Sequence, residues 1–257
     1  MSDTILAEVN GPIAQLTLNQ PDRLNALSEE MLDHLAKRVD ELSGQPHVRV
    51  IAITGAGRGF CSGADLRGGS ADGGPIDAGT LYAAGRAVRA ITGSPKPVVA
   101  LVNGVAAGVG CSLALAADYV LAAESAYFVL PFGTIGLMPD GGATALVAAS
   151  VGRARAVRMA LTAEKVTAAT AHEWGLIAEV VADTAFPNRS QGVMDILAAS
   201  SGEAVAWTKR AINAATIDLD RVLSREEQGQ AILLAGADYA EGVAAFNARR
   251  PPSFGRA

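Results

Sequence analysis

The sequence predicts an α/β fold, and three observations carry that prediction. Two short, largely apolar runs, residues 48–54 and 97–103, each empty into glycine, as buried strands bounded by turns do. Around and after them the chain repeats strand, turn and helix units, the alternation expected of a layered β/α core. From about residue 191 the composition changes to long amphipathic helices.

The chain opens with alternation. Ile5, Ala7 and Val9 recur at every second position, Asn10-Gly11 follows, and Ala14, Leu16 and Leu18 alternate again, which predicts a β-hairpin. Ser28 is placed as an N-cap, with Glu29 and Glu30 in the first turn and Leu27 and Leu32 spaced as a hydrophobic staple. Met31, Leu35, Val39 and Leu42 give that helix one apolar stripe, and Gly44 ends it. Residues 68–79 are rich in Gly, Ser, Asp and Pro, a surface loop that serves either as a lid or as a plain linker. Residues 113–117 read as a short helix, 119–123 and 127–130 as extended, and Ala143 as the start of another helix. In the last part, Val205, Thr208, Ala211 and Ile212 share one face, and Ser224-Arg225-Glu226-Glu227 reads as the charged start of the last helix. The expected division is a β/α core over residues 1–190 and a helical region over 191–257.

Composition excludes several classes of function. A net charge of −5 argues against broad electrostatic binding to nucleic acid, and the 5% of aromatic residues never interleave with basic runs as stacking platforms require. There is no basic, apolar leader at Met1-Ser2-Asp3-Thr4 and no apolar stretch long enough to span a bilayer. A cytoplasmic protein with no membrane partner is expected. The two cysteines, Cys61 and Cys111, are too few for a disulfide framework. His34, His47 and His172 have no metal-ligand spacing to a partner, so no metal is expected.

Two glycine-rich turns are the candidates for chemistry. One is Gly59-Phe60-Cys61-Ser62-Gly63-Ala64-Asp65-Leu66, after a buried strand; the other is Asn103-Gly104-Val105-Ala106-Ala107-Gly108-Val109-Gly110-Cys111-Ser112, where a strand empties into glycines and a helix. Two such turns facing one point would offer a pair of N–H groups to a developing oxyanion. Their G-x-G elements also invite a dinucleotide-binding reading, but the third small residue of that fingerprint is replaced by Phe60 or Leu113.

With Asn19-Gln20-Pro21-Asp22-Arg23-Leu24-Asn25-Ala26-Leu27 ahead of these turns and Ala171-His172-Glu173-Trp174-Gly175-Leu176 behind them, the sequence resembles the crotonase superfamily, the enoyl-CoA hydratases and isomerases. The resemblance implies a spiral of ββα units with a helical C-terminal region that assembles trimers or hexamers. It implies an acyl-CoA thioester as substrate and no cofactor beyond the coenzyme A it carries. By position, the backbone N–H groups of Ser62 and Val109 would form the oxyanion hole. Arg23, Leu24 and Ala26 would line the coenzyme A site with Ala64, Asp65 and Leu66 beside them, and the C-terminal Phe254 belongs to the same set.

Within the family, hydratases use two glutamates, and the matching positions here hold Ser112 and Phe132. Neither relays a proton as a carboxylate does, and Phe132 would line the acyl site instead. A different carboxylate, Asp140 in Gly136-Leu137-Met138-Pro139-Asp140-Gly141-Gly142, resembles the segment of ring-epoxide and Δ3,Δ2-enoyl-CoA isomerases, apart from Ala143 where that subgroup carries another glycine. Asp140 therefore reads either as a single acid–base group or as the cap of the helix that follows. The expected function is acyl-CoA isomerisation. A hydratase and a non-catalytic acyl-CoA binding protein stay open as alternatives.

Overall fold

The structure, a computed structural model, describes residues 4–68 and 76–255. β1 (Ile5–Asn10) and β2 (Ile13–Leu18) form the hairpin, with Asn10 opposite Ile13. The turn is therefore Gly11-Pro12, one residue later than the Asn-Gly reading. Gly11, at φ 59°, supplies the left-handed first position that such a turn needs. α1 (Glu29–Gly44) starts as expected at Ser28, whose hydroxyl accepts from the Met31 N–H at 3.2 Å, and it buries Met31, Leu35, Val39 and Leu42.

From there the chain winds in ββα units. β3 (Val50–Gly55) and β4 (Gly59–Cys61) lead to α2 (Ala78–Gly93), β5 (Val98–Val102) and β6 (Val105–Ala107) to α3 (Val109–Ala116), and β7 (Tyr119–Ala123) and β8 (Tyr127–Val129) to α4 (Ala143–Thr162). In each unit the first strand joins one sheet and the second joins another. The described residues form a six-stranded sheet, β1-β2-β3-β5-β7-β10, closed at its far edge by β10 (Glu179–Val181), and a smaller sheet, β4-β6-β8-β9, closed by β9 (Val166–Thr167). Beyond the hairpin the large sheet is parallel throughout. Parallel strands are covered on both faces, which is why β5, Val-Val-Ala-Leu-Val, is apolar at every position and wholly buried. α5 (Ala168–Trp174) follows β9.

The expected boundary at residue 191 falls inside α6 (Phe186–Ala199). That helix belongs to the core: its Val193 and Met194 pack with Val50, Ala52, Val99 and Leu121 of the large sheet. The helical region proper begins with α7 (Gly202–Thr216). α8 (Leu219–Leu234) begins upstream of Ser224, capped by Asp218, and α9 (Ala237–Asn247) follows it, so the expected start of the last helix is a mid-helix stretch. Glu226 misled the sequence reading because it is buried and pairs with backbone rather than water. The helical region is tied back to the core by Lys209, whose buried ammonium meets Asp118 at 2.7 Å and donates to the Ile91 carbonyl at 2.9 Å. Residues 69–75 of the expected lid lie outside the described residues; its far end is the start of α2, where Asp77 accepts from the Thr80 N–H at 3.1 Å.

Candidate active site

The first glycine turn leaves β4 and passes alongside Leu27 as a single parallel bridge. Leu27 makes both bonds of it, donating to Gly63 O at 2.8 Å and accepting from the Asp65 N–H at 2.8 Å. In a parallel ladder the residue whose neighbours are bonded turns its own N–H the other way. That residue is Ala64, and its N–H has no acceptor among the described residues. Ser62, expected to supply the donor, does not have it to give: its N–H donates to Leu24 O at 2.9 Å and its hydroxyl to Arg23 O at 3.0 Å. The free N–H of this turn is two residues further on.

The second turn is shaped by Gly108, at φ 53° and ψ −130°, a conformation open in practice to glycine alone. It delivers Val109 as the first residue of α3, where an N–H has no intrahelical partner, and no other acceptor meets it among the described residues. Gly110 lets α3 lie against β4: a Cβ there would stand 2.6 Å from Cys61 Sγ and 2.8 Å from its carbonyl oxygen. This contact brings the two turns together. Ala64 and Val109 line one cavity of about 350 Å³, with Phe132, Leu137 and Asp140, within the size range of small-molecule sites.

Asp140 is 7% exposed and does not cap a helix. The N-cap of α4 is Gly142, and the N–H groups of Gly142 and Thr144 are taken by the Glu226 carboxylate of α8, at 2.6 and 3.0 Å. The carboxyl of Asp140 is left free of that duty. Its Oδ2 accepts from Gln230 Nε2 at 2.8 Å, while Oδ1 is buried with no hydrogen-bond partner among the described residues. Burial pushes its pKa up to about 7; the Gln230 bond opposes the rise and the nearby Glu226 charge adds to it. Ser112, at a position of the hydratase glutamates, donates its hydroxyl to the backbone oxygen of Asp140 at 2.7 Å. Phe132, at the other, is 6% exposed and forms part of the apolar wall.

Arg23, Ala26, Asp65 and Leu66 line the same cavity. Arg23 is ion-paired with Asp65, which also accepts from the Arg67 N–H at 3.0 Å, so its charge is shared rather than free. Leu24 and Phe254 are not part of the lining. Leu24 sits at φ 52° in the turn that Asn25 holds, and the buried Asn25 side chain donates to the Ala56 and Gly59 carbonyls at 2.9 and 2.8 Å. Phe254 lies in the tail that folds back on α9, and the aromatics of the cavity wall are Phe132 and Phe246. Gln230, Glu226 and Phe246 all come from the helical region, and no local pattern marks them. The i, i+4 spacing of Glu226 and Gln230 acquires meaning only when α8 docks.

A second, larger cavity of about 770 Å³ lies between α7 and the core, but its buried cation, Lys209, is paired with Asp118. Burial raises both cysteine thiols to about 12, so neither offers a thiolate at neutral pH.

Residues 8–257 match the Enoyl-CoA hydratase/isomerase family. The chain is similar to the 1,2-epoxyphenylacetyl-CoA isomerase of Escherichia coli K12, 42% identical over 259 residues that cover 99% of each protein. It is also similar to the 2,3-dehydroadipyl-CoA hydratase of the same organism, 35% identical with 93% of each covered. Its backbone superposes on the crystal structure of an enoyl-CoA hydratase from Mycobacterium avium subsp. paratuberculosis K-10 with a TM-score of 0.92, at 44% identity and 99% coverage of both chains. A crotonase spiral with two free N–H groups and a buried carboxyl on one cavity thus has its kin throughout, and the chain belongs to the enoyl-CoA hydratase/isomerase family.

Proposed function

We propose that the protein is an acyl-CoA isomerase that moves a proton along the acyl chain through a thioester enolate. The N–H groups of Ala64 and Val109 receive the thioester oxygen, and Asp140 is the acid–base group. The observation that carries this reading is the Asp140 carboxyl: buried in the cavity wall, released from helix capping by Glu226, and left with one oxygen unpaired. On a 3-enoyl-CoA, Asp140 takes a proton from C2, and the C–H electron pair spreads over the carbonyl and the double bond as a dienolate. The two N–H groups stabilise the oxyanion as it forms. The carboxylic acid then returns the proton at C4, giving the 2-enoyl isomer with no net gain or loss of atoms. A pKa near 7 suits one group that must act in both directions at neutral pH. Ring-epoxide isomerisation, the activity named for the Escherichia coli relative, fits the same donors and the same apolar wall.

Hydration is the second reading, favoured by the activity named for other relatives. It needs a positioned water, and Ser112 and Phe132 stand where the hydratase glutamates would hold one. Assaying 2-enoyl, 3-enoyl and ring-derived CoA thioesters separately for hydration and for double-bond movement decides between them. Isomerisation should dominate, with an acid limb in kcat near pH 7. Hydration of 2-enoyl-CoA outpacing isomerisation would overturn the proposal, and tight binding without any turnover would favour a binding protein.

A further inference from the structure

We propose that Gln230 and Glu226 of α8 are positioning residues that act on the reaction through Asp140, Gln230 by orienting its carboxyl and Glu226 by fixing its loop with a charge behind it. This rests on the reading of Asp140 as the acid–base group. The two residues are one helical turn apart, so they face the same way, and each is 1% exposed. A buried amide is costly unless it is fully bonded. Gln230 meets that condition: Oε1 accepts from the Met138 N–H at 3.3 Å, and Nε2 donates to Met138 O and to Asp140 Oδ2, both at 2.8 Å. The Met138 N–H requires the oxygen on its side, so the amide cannot turn over, and a donor always faces the carboxyl.

Glu226 grips the other end of the same loop. Besides the Gly142 and Thr144 N–H groups it accepts from the Thr144 hydroxyl at 2.5 Å. Gly229 leaves room for the Met138 side chain under α8, since a Cβ there would stand 2.3 Å from Met138 Sδ. On the opposite side Ser112 of α3 holds the Asp140 carbonyl. The loop is clamped from both faces with Asp140 between, and Oδ1 remains as the oxygen without a partner.

The charges around Asp140 make the roles of the two residues separable. The 350 Å³ cavity presents Asp22, the Arg23–Asp65 pair and Arg67, a smaller void on the inner side presents Asp77, and α3 presents no charge. Glu226 meets no cation among the described residues, only backbone and hydroxyl donors. A donor on the carboxylate favours ionisation, and a like charge opposes it. Gln230→Leu should therefore move the acid limb of the kcat profile up by at least about half a pH unit, and Glu226→Gln should move it down. A loop merely loosened by either substitution gives no such opposition.

The test compares wild type, Gln230→Leu and Glu226→Gln as the full chain on 3-enoyl-CoA, with circular dichroism to establish folding. Gln230→Leu is expected to lower kcat about 10- to 100-fold with KM within about threefold. Opposite movements of the two acid limbs support the proposal; limbs that stay put, or move together, overturn it. Should Glu226→Gln fail to fold, Gln230→Leu decides alone, and an unmoved limb overturns the role. If the wild type turns over no acyl-CoA, the isomerase reading falls. The positioning is then read without substrate, from the titration of the Asp140 side-chain carboxyl by carbon-13 NMR, assigned with Asp140→Asn; opposite shifts sustain it and absent ones end it.

Discussion

A carboxyl taken out of water resists ionisation, and at Asp140 that resistance is both the proposed catalytic asset and a cost to the fold. Asp140→Asn keeps the shape and an acceptor for Gln230 but cannot take up and return a proton. Double-bond movement should fall about 10²- to 10⁴-fold while acyl-CoA affinity stays within a few-fold, and an unchanged rate would remove Asp140 from the mechanism. The same variant has a stability signature. With a pKa raised from 3.8 to about 7, the native state holds its proton more tightly than the unfolded chain, so stability falls as pH rises between about 4 and 7. The penalty is absent below that window and complete above it. Asp140→Asn should therefore melt higher than wild type at pH 8, with the gain fading toward pH 4, as differential scanning calorimetry would show. The choice of Ala64 over Ser62 is a residue-scale matter too. Both lie in one turn, and the Leu24 carbonyl that takes the Ser62 N–H, with the pairing of Leu27 on either side of Ala64, decides which N–H is left over.

At the scale of elements, the site depends on α3 lying flat against β4. Gly110→Ala would place a methyl 2.6 Å from Cys61 Sγ and 2.8 Å from the Cys61 carbonyl, and a backbone oxygen cannot swing aside as a side chain does. The strain should cost about 1–3 kcal/mol, measurable by urea denaturation. α3 should shift, and displacing the Val109 N–H by even about 1 Å should lower kcat on the order of 10²-fold. Full activity in a folded Gly110→Ala protein would mean that the Val109 N–H is not used. The α1 cap offers a control remote from the chemistry: Ser28→Ala should destabilise by about 1 kcal/mol and leave kcat unchanged.

Over the whole molecule, the helical region leaves apolar side chains bare. Trp207 and Ile212 on α7 are 64% and 58% exposed, and Ile232 on α8 is 75% exposed. The face of α7 read from the sequence as apolar borders the 770 Å³ cavity rather than closing it. Such a surface suits a cover by further copies of the chain. A trimer is the expected state, and Trp207→Glu with Ile212→Glu should shift sedimentation velocity toward the monomer. A wild-type monomer at micromolar concentration would refute the trimer.

The sequence by itself determined the local devices: the hairpin from its alternation, α1 from Ser28 and its stripe, the buried strands from apolar runs, and the glycine turns from their clustered glycines. Each of these depends on neighbours within a few positions, where periodicity and φ limits act. It also singled out Asp140, yet left it suspended between cap and acid–base group. Tertiary structure removed the cap reading by bringing Glu226 from far along the chain to the start of α4. It likewise moved the donor from Ser62 to Ala64, placed α6 in the core, and replaced Phe254 by Phe246 in the cavity wall. In every one of these cases the deciding contact joins segments that are distant in sequence, so which donor stays free and which carboxylate stays unpaired is settled by packing and not by pattern.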